Sequence, residues 1–169
     1  MSGTAVTEVL RGGRVLVAIA ARALAAYAED VTVSQLRVLV LVGGRGPLRA
    51  ADLAAELDTD SSSATRLIDR LVRKRLLDRR RDELDRRVVL LSLAPEGERL
   101  LEAMNRHRRA GIGRLLARLD DDAREHLRLG LEALADAAAE APEVDEPDQV
   151  WALGWQADVP GSRRRGTAT

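Results

Sequence analysis

The 169-residue chain has no cysteine and no phenylalanine, and it contains only one tyrosine and two tryptophans. Without cysteine the chain has no disulfide framework, no thiolate metal site and no thiol that could sense oxidants. Its uninterrupted apolar runs all fall well short of the roughly 20 residues that a membrane-spanning helix needs. The first residues also lack a signal-peptide pattern, so we expect a cytoplasmic protein without a membrane partner.

Residue types that carry catalysis are sparse. His107 and His126 are the only histidines, and neither stands at a spacing typical of nucleophilic, acid–base or metal chemistry. The glycines Gly43, Gly44 and Gly46 lack the flanking strand and the lysine of a phosphate-binding loop. We therefore expect no enzyme activity, no cofactor and no metal site.

The most informative pattern lies in residues 58–93. It opens with side chains that can cap a helix, from Asp58 to Ser61. Apolar residues at helical spacing then predict a buried stripe formed by Ala64, Leu67, Ile68, Leu71 and Val72. The opposite face is polar at its start and basic afterwards, and the stretch carries ten basic residues against seven acidic ones.

The segments around this helix predict a reading head for DNA. Upstream, the apolar stripe of residues 50–57 and a three-residue connection complete a helix-turn-helix that lacks the usual turn glycine. Downstream, residues 76–81 and 86–93 read as a short strand pair with a charged tip at 82–85. A helix of this kind can enter a DNA groove, while the basic hairpin that follows it neutralises nearby phosphates. A merely solvated charged face is the alternative interpretation.

This order of residues resembles the winged helix-turn-helix of MarR-type bacterial transcriptional regulators. The likeness is strongest from Leu48 to Gly97, and most specific in the wing. There Asp85-Arg86-Arg87, then Leu91, Leu93 and Gly97, match the pattern of an aspartate, any residue, an arginine, an alternating apolar strand and a glycine that opens the next helix.

The resemblance implies a mainly helical fold with a small β-wing. Residues 1–141 would form a single winged helix-turn-helix domain with N- and C-terminal dimerisation helices, and its DNA-binding part would span about 32–97. The implied function is a homodimeric repressor that binds a pseudo-palindromic site on double-stranded DNA and is released by a small lipophilic or phenolic effector. Loose candidates for the effector pocket are Tyr27, Arg37, Met104 and Arg108.

The same resemblance assigns contacts to individual residues. On the reading helix, the candidates for the major groove are Ser61, Ser62, Ser63, Thr65, Arg66 and Arg70. In the wing, the candidates are Arg79, Arg81, Asp85, Arg86 and Arg87. We expect Arg87 to reach the minor groove, and Asp85 to hold it in place through a charge-assisted hydrogen bond.

Two residues depart from the family pattern. Arg75 stands where a glycine commonly ends the reading helix, so either it adopts a left-handed backbone or the helix ends differently. Ala94 stands where a threonine usually caps the helix after the wing, which leaves Pro95 at the first helical position to set the start. Both changes concern the geometry of the wing and remove no DNA contact.

The outer segments read as helices and a tail. Apolar periods predict helices over residues 5–28, about 95–119 and after 120–122, while Thr32 and Gln35 predict a capping box that opens a further helix ending near 43–44. The terminal helices carry more apolar surface than one small domain covers, which favours a homodimer over an intramolecular bundle. Residues 142–169 read as a partly disordered tail, in which Trp151 and Trp155 either dock on the body or form an interaction motif.

A second class of function is a winged-helix module that binds another protein through its basic face. A protein-docking helix tends to display aromatic anchors, and the predicted reading face has none. Hydroxyl-bearing residues at the start of that face suit base and phosphate edges instead, which favours DNA as the partner.

Overall fold

The structure is a computed structural model that describes residues 3–82 and 85–139. The predictions for the acidic segment, the tryptophans and the tail lie outside these residues. The chain divides into two compact units. Within the described residues, we call 34–98 the winged unit, and 3–33 with 99–139 the helical unit. That residues 1–141 form a single domain stays a prediction.

Six helices and three strands make up the described part of the chain. In chain order they are α1 Gly3–Ala25, α2 Val33–Arg45, β1 Leu48–Arg49, α3 Ala50–Glu56, α4 Ser61–Arg73, β2 Leu77–Arg81, β3 Val89–Leu93, α5 Pro95–Leu116 and α6 Asp121–Ala139. The predicted fold class, mainly helical with a small β-wing, is confirmed. Helix α1 runs through Gly12 and Gly13 without a break.

Helix α2 has more buried residues than any other helix of the winged unit. Its residues from Gln35 to Val42 are buried except for Arg37, so the helix is covered nearly all round. The Arg37 guanidinium donates to the backbone carbonyls of Glu56, at 3.0 Å, and Leu57 at the end of α3. Those carbonyls have no partner within α3, so Arg37 stabilises the end of the first helix of the helix-turn-helix.

The sheet is antiparallel with strand order β1-β3-β2. Leu77 pairs with Leu93 and Arg81 with Val89, which sets the hairpin register of the wing. On the other edge of β3, Leu48 pairs with Leu91, whose side chain is buried. The sequence predicted the hairpin but missed β1, because two residues are too few to show a strand period.

Both helices of the helix-turn-helix end at a residue with a left-handed backbone that is not glycine. Asp58 has φ 47° after α3, and Arg75 has φ 58° after α4. After α4, the Arg75 N–H donates to Val72 and the Leu76 N–H to Leu71, which is the Schellman arrangement. After α3, the bonds from Asp58 and Thr59 repeat it. The question left open at Arg75 is therefore answered by a left-handed conformation.

The start of α5 packs tightly against the chain that leaves α4. Helix α5 begins at Pro95 as predicted, and the Ala94 N–H donates to the Leu76 carbonyl at 3.1 Å. A Cβ on Gly97 would lie 2.2 Å from that same carbonyl oxygen. No real side chain fits at such a distance, so glycine is required here for close backbone approach.

The helical unit leaves most of its apolar residues uncovered. Only Ile19, Ala20 and Ala23 of α1 are buried, and a Cβ on Gly111 would lie 2.8 Å from the Ile19 side chain. The large apolar side chains exposed on these helices are Val6, Val9, Leu10, Val15, Leu16, Val17, Leu115, Leu127, Leu129, Leu131 and Leu134. None of the helices described is long and apolar enough to cross a bilayer.

Candidate nucleic-acid interface

Helix α4 presents the polar face that the sequence predicted. Ala64, Ile68 and Leu71 are buried in the winged unit, because they share one side of the helix. The opposite side is exposed to solvent, and it carries Ser62, Thr65, Arg66, Arg70 and Arg73. We call this side the reading face.

Asp60 fixes the start of the reading helix. It is the N-cap, with an extended backbone, and its Oδ1 accepts hydrogen bonds from the Ser63 N–H at 2.9 Å and the Ser62 hydroxyl at 2.6 Å. Bonds that favour a charged carboxylate lower its pKa, and those from Ser62 and then Ser63 hold the pKa of Asp60 well below its ordinary value. Asp60 is therefore anionic at neutral pH, beside the positive end of the helix dipole.

Arg66 folds back over the first turn of the reading helix. Its Nη2 donates to the hydroxyls of Ser63, at 3.1 Å, and Ser62, at 3.3 Å. Because Ser62 gives its single proton to Asp60, its hydroxyl can only accept from Arg66. Three of the residues predicted to contact DNA are thus joined in one network that begins at the N-cap.

Thr65 lies beside this network but bonds in another direction. Its hydroxyl donates to the Ser61 carbonyl, one turn back, at 2.7 Å. Thr65 is exposed, and Arg70, one turn further along, is exposed as well. The reading face thus combines hydroxyl groups and a guanidinium near its start with basic side chains towards its end.

The wing strands add a second basic surface. On β2, only Leu77 is buried, and Asp78, Arg79, Arg80 and Arg81 are exposed. Arg79 is not simply a free cation, because its Nη2 lies 2.7 Å from Asp69 Oδ1 of α4. This ion pair, with both side chains about 40% exposed, ties the wing to the reading helix. Arg79 was predicted only to contact DNA, and no sequence period indicated its pairing with Asp69.

The wing tip is a turn built around Asp85. The Val88 N–H donates to the Asp85 carbonyl at 2.9 Å, and the Arg87 N–H donates to Asp85 Oδ1 at 2.9 Å. The predicted contact between Asp85 and Arg87 is therefore present, but it is made to the backbone of Arg87 and not to its guanidinium. Arg86 and Arg87 are both exposed at this tip.

The winged unit thus carries all eleven residues predicted to contact DNA. Ser63 is half-buried and the other ten are exposed. The sequence did not single out Asp69, whose role depends on a helix-to-strand contact. Among the described residues, no cluster of acidic, histidine or cysteine side chains could hold a metal ion.

The helical unit contains a separate groove with a cavity volume of about 500 Å³. Its lining combines basic and apolar side chains: Arg14, Val15, Ala18, Ile19, Arg22, His107, Gly111, Arg114, Leu115 and Arg118. The candidates suggested for an effector pocket do not line it. Met104 is fully buried, and Arg37 is engaged with the end of α3.

Comparisons with known proteins agree with this architecture. Residues 31–89 match the sequence model of the MarR family. The transcriptional repressor MdtR of Bacillus subtilis is 34% identical over 94 residues, which cover 56% of this chain and 61% of MdtR. The chain therefore spans a little under two thirds of that relative.

Two mycobacterial relatives are covered more fully. The uncharacterized transcriptional regulator ML2140 of Mycobacterium leprae is 30% identical over 114 residues, covering 68% of this chain and 80% of ML2140. The crystal structure of RV1404 from Mycobacterium tuberculosis superposes with a TM-score of 0.72 at 33% identity, over 81% of this chain and 94% of RV1404.

Proposed function

This chain belongs to the MarR family of transcriptional regulators, and from that premise we propose that it is a sequence-specific DNA-binding repressor, active as a homodimer and released by a small lipophilic anion. The observation that carries the proposal is the reading face of α4. Its polar start is ordered by the Asp60 cap, and its basic end stands on the same unit as the arginine-tipped wing. A surface of this kind places polar side chains in a DNA groove, while its arginines neutralise the nearby phosphates.

The homodimer is supported by the surface of the helical unit. Leu127, Leu131 and Leu134 lie at helical spacing on α6 and are 41%, 46% and 49% exposed. Val9 and Leu10 of α1 are more exposed still, at 53% and 62%. Apolar surface of this size on a dissolved protein calls for a partner, and a two-fold axis supplies a second copy of the same surface.

Light scattering at micromolar concentration tests the dimer. The full chain is expected to give the dimer mass, and Leu131→Glu is expected to give the monomer mass because a carboxylate in the interface lacks a partner. His126→Glu adds the same charge to α6 outside the leucine stripe, and it should remain dimeric. A monomer mass for the unchanged chain would contradict the proposal.

Repression is supported by the relative MdtR, which is itself named a repressor. The basic groove of the helical unit supports an anionic effector, since its lining includes Arg14, Arg22, Arg114 and Arg118 together with apolar side chains. Guanidinium groups bind carboxylates well, and the apolar part of the lining would cover the rest of such a ligand. Lipophilic carboxylates or phenolates added to the protein–DNA complex should release the DNA. The Arg114→Ala variant should need a higher concentration of the same compound for the same release.

Selection of bound fragments from sheared genomic DNA tests the central claim. The recovered fragments should share a pseudo-palindrome whose half-sites lie about 34 Å, or one helical turn, apart. Recovery of unrelated sequences with equal affinity would contradict specific reading. It would favour the alternative in which the basic face binds an acidic protein surface.

A further inference from the structure

Thr65 lies on the reading face, and the one proton of its hydroxyl is already bonded within the helix. The hydroxyl donates to the Ser61 carbonyl at 2.7 Å, the usual distance for an O–H···O bond. A threonine hydroxyl has one proton, so Thr65 has no donor left for a base edge, and its hydroxyl oxygen could only accept there. Its neighbours differ, because Arg66 retains N–H groups beyond the two directed at the serine hydroxyls.

The other functional group of this side chain is its methyl. Thr65 is exposed, whereas Ala64 on the adjacent side of the helix is buried. In the major groove, the only base that presents a methyl group is thymine, and the threonine methyl is among the side-chain groups that contact it. Burial of two methyl groups against each other needs no donor and no reorientation of the hydroxyl.

We propose that Thr65 reads one thymine in each half-site through its methyl group, and that its hydroxyl serves the helix and not the DNA. The inference rests on the proposed function, because it takes α4 to be the reading helix. It assigns to Thr65 a part of the specificity that the basic side chains cannot supply, since arginine discriminates guanine through hydrogen bonds.

Replacement of thymine by deoxyuridine tests this directly in the unchanged protein. Deoxyuridine lacks only the 5-methyl group and keeps every hydrogen-bonding group of the base. Each thymine of the selected operator is replaced in turn, and affinity is measured at fixed salt. At one thymine per half-site, we expect a loss of about four-fold, the factor for roughly 0.8 kcal/mol per buried methyl-sized group. Replacement in both half-sites should cost about 15-fold.

Two variants of similar size separate the methyl from the hydroxyl. Thr65→Ser keeps the hydroxyl and its bond to Ser61 but loses the methyl, so it should bind the thymine operator about four-fold more weakly per half-site. It should also be indifferent to deoxyuridine at the identified position. Thr65→Val loses the hydroxyl and keeps the methyl, so it should retain both the affinity and the sensitivity to deoxyuridine. Melting temperatures identify any variant that binds weakly because it is unfolded.

The outcomes separate this inference from the function on which it rests. An operator recovered by selection whose affinity is unchanged by deoxyuridine at every thymine would overturn the reading by Thr65 and leave the regulator intact. Normal binding by Thr65→Ser, with loss by Thr65→Val, would show that the hydroxyl makes the contact instead. If the unchanged protein selects no common sequence, both proposals fail.

Discussion

The carboxylate of Asp85 accepts a hydrogen bond of 2.9 Å from the backbone N–H of Arg87, two residues further along the wing tip. The aspartate therefore shapes the turn from which the Arg87 side chain projects. Asp85 therefore has two opposite effects on DNA binding, one through the turn that its hydrogen bond fixes and one through its negative charge. A negative charge near phosphates opposes binding, whereas a fixed turn favours it.

We predict that Asp85→Ala weakens operator binding by about 1 kcal/mol, the usual contribution of such a hydrogen bond, although it removes a negative charge. The control is Asp78→Ala, which removes an exposed carboxylate from β2 and should tighten binding slightly. Binding is measured on one operator at fixed salt, and Arg87→Ala and the double variant complete the cycle. Losses that simply add, or tighter binding by Asp85→Ala, would contradict the positioning role.

Arg66 and Arg70 should differ in what they contribute. Arg66 lies over the first turn of α4 with the serines, whereas Arg70 lies one turn further towards its end. We predict that Arg66→Ala weakens binding to the selected operator by about 1–3 kcal/mol and changes binding to random DNA much less. Arg70→Ala should weaken both and reduce the salt dependence by about one phosphate contact. Equal losses on the two DNAs for Arg66→Ala would show that it contacts only phosphate.

Arg75 should be a site where glycine stabilises the fold. Its φ of 58° is unfavourable for a residue with a Cβ, by about 1–2 kcal/mol. Glycine loses more entropy on folding, so we predict that Arg75→Gly raises the free energy of unfolding by about 0.5–1 kcal/mol. Arg70→Gly is the matched control inside α4, and it should destabilise by about 1 kcal/mol. Urea unfolding of the wild type and the two variants measures both changes in the free energy of unfolding. A lower free energy of unfolding for Arg75→Gly would contradict the proposed strain at Arg75.

Gly97 should not tolerate a methyl group. Because a Cβ there would lie 2.2 Å from the Leu76 carbonyl oxygen, Gly97→Ala must displace backbone, at a cost of about 1–3 kcal/mol. Gly113, further along α5, has nothing within 4 Å of the corresponding position. Gly113→Ala should therefore be neutral or stabilising by up to about 1 kcal/mol. Thermal unfolding compares the two, and an unchanged stability of Gly97→Ala would contradict the close approach.

These residues show what a sequence can and cannot predict. Of the five residues predicted for the buried stripe of α4, Ala64, Ile68 and Leu71 are buried, and Leu67 and Val72 are half-buried. The stripe was predictable because its residues recur with the helical period, and that period is a property of the chain alone. A helix cap was predicted among the four residues from Asp58 to Ser61, and the structure assigns it to Asp60, whose bond to Ser63 spans three residues. Local spacing was sufficient to predict helix α4 and the side of it that faces solvent.

Contacts between distant residues were not predictable in this way. Asp69 and Arg79 lie on different elements, and their pairing depends on how β2 packs against α4. The left-handed backbone at Asp58 was missed because no glycine marked it, and the helix end alone did not reveal it. Asp85 was assigned to the right neighbour, but the bonded atom of Arg87 is fixed by the turn and not by the residue types.

Because of Asp60, the stability of the reading helix should decrease as the pH falls into the acid range. Its bonds from the Ser62 hydroxyl and from Ser63 hold its pKa below the ordinary value of 3.8. A carboxyl with a lower pKa in the folded state binds fewer protons there than in the unfolded chain. Its stabilising effect is therefore complete above the unfolded pKa, and it is lost as the pH falls through the folded one.

Asp60→Asn isolates this effect, because asparagine caps helices about as well as aspartate but does not titrate. We predict that the unchanged protein has the higher melting temperature at neutral pH, and that the difference shrinks below about pH 4. Asp60→Ala removes the cap itself, so it should be the least stable of the three at neutral pH. Because other carboxylates titrate in both proteins, only the difference between wild type and Asp60→Asn reports on Asp60. A difference that stays constant down to about pH 2 would assign the acid sensitivity to other groups and would show that the charge of Asp60 adds nothing to its cap.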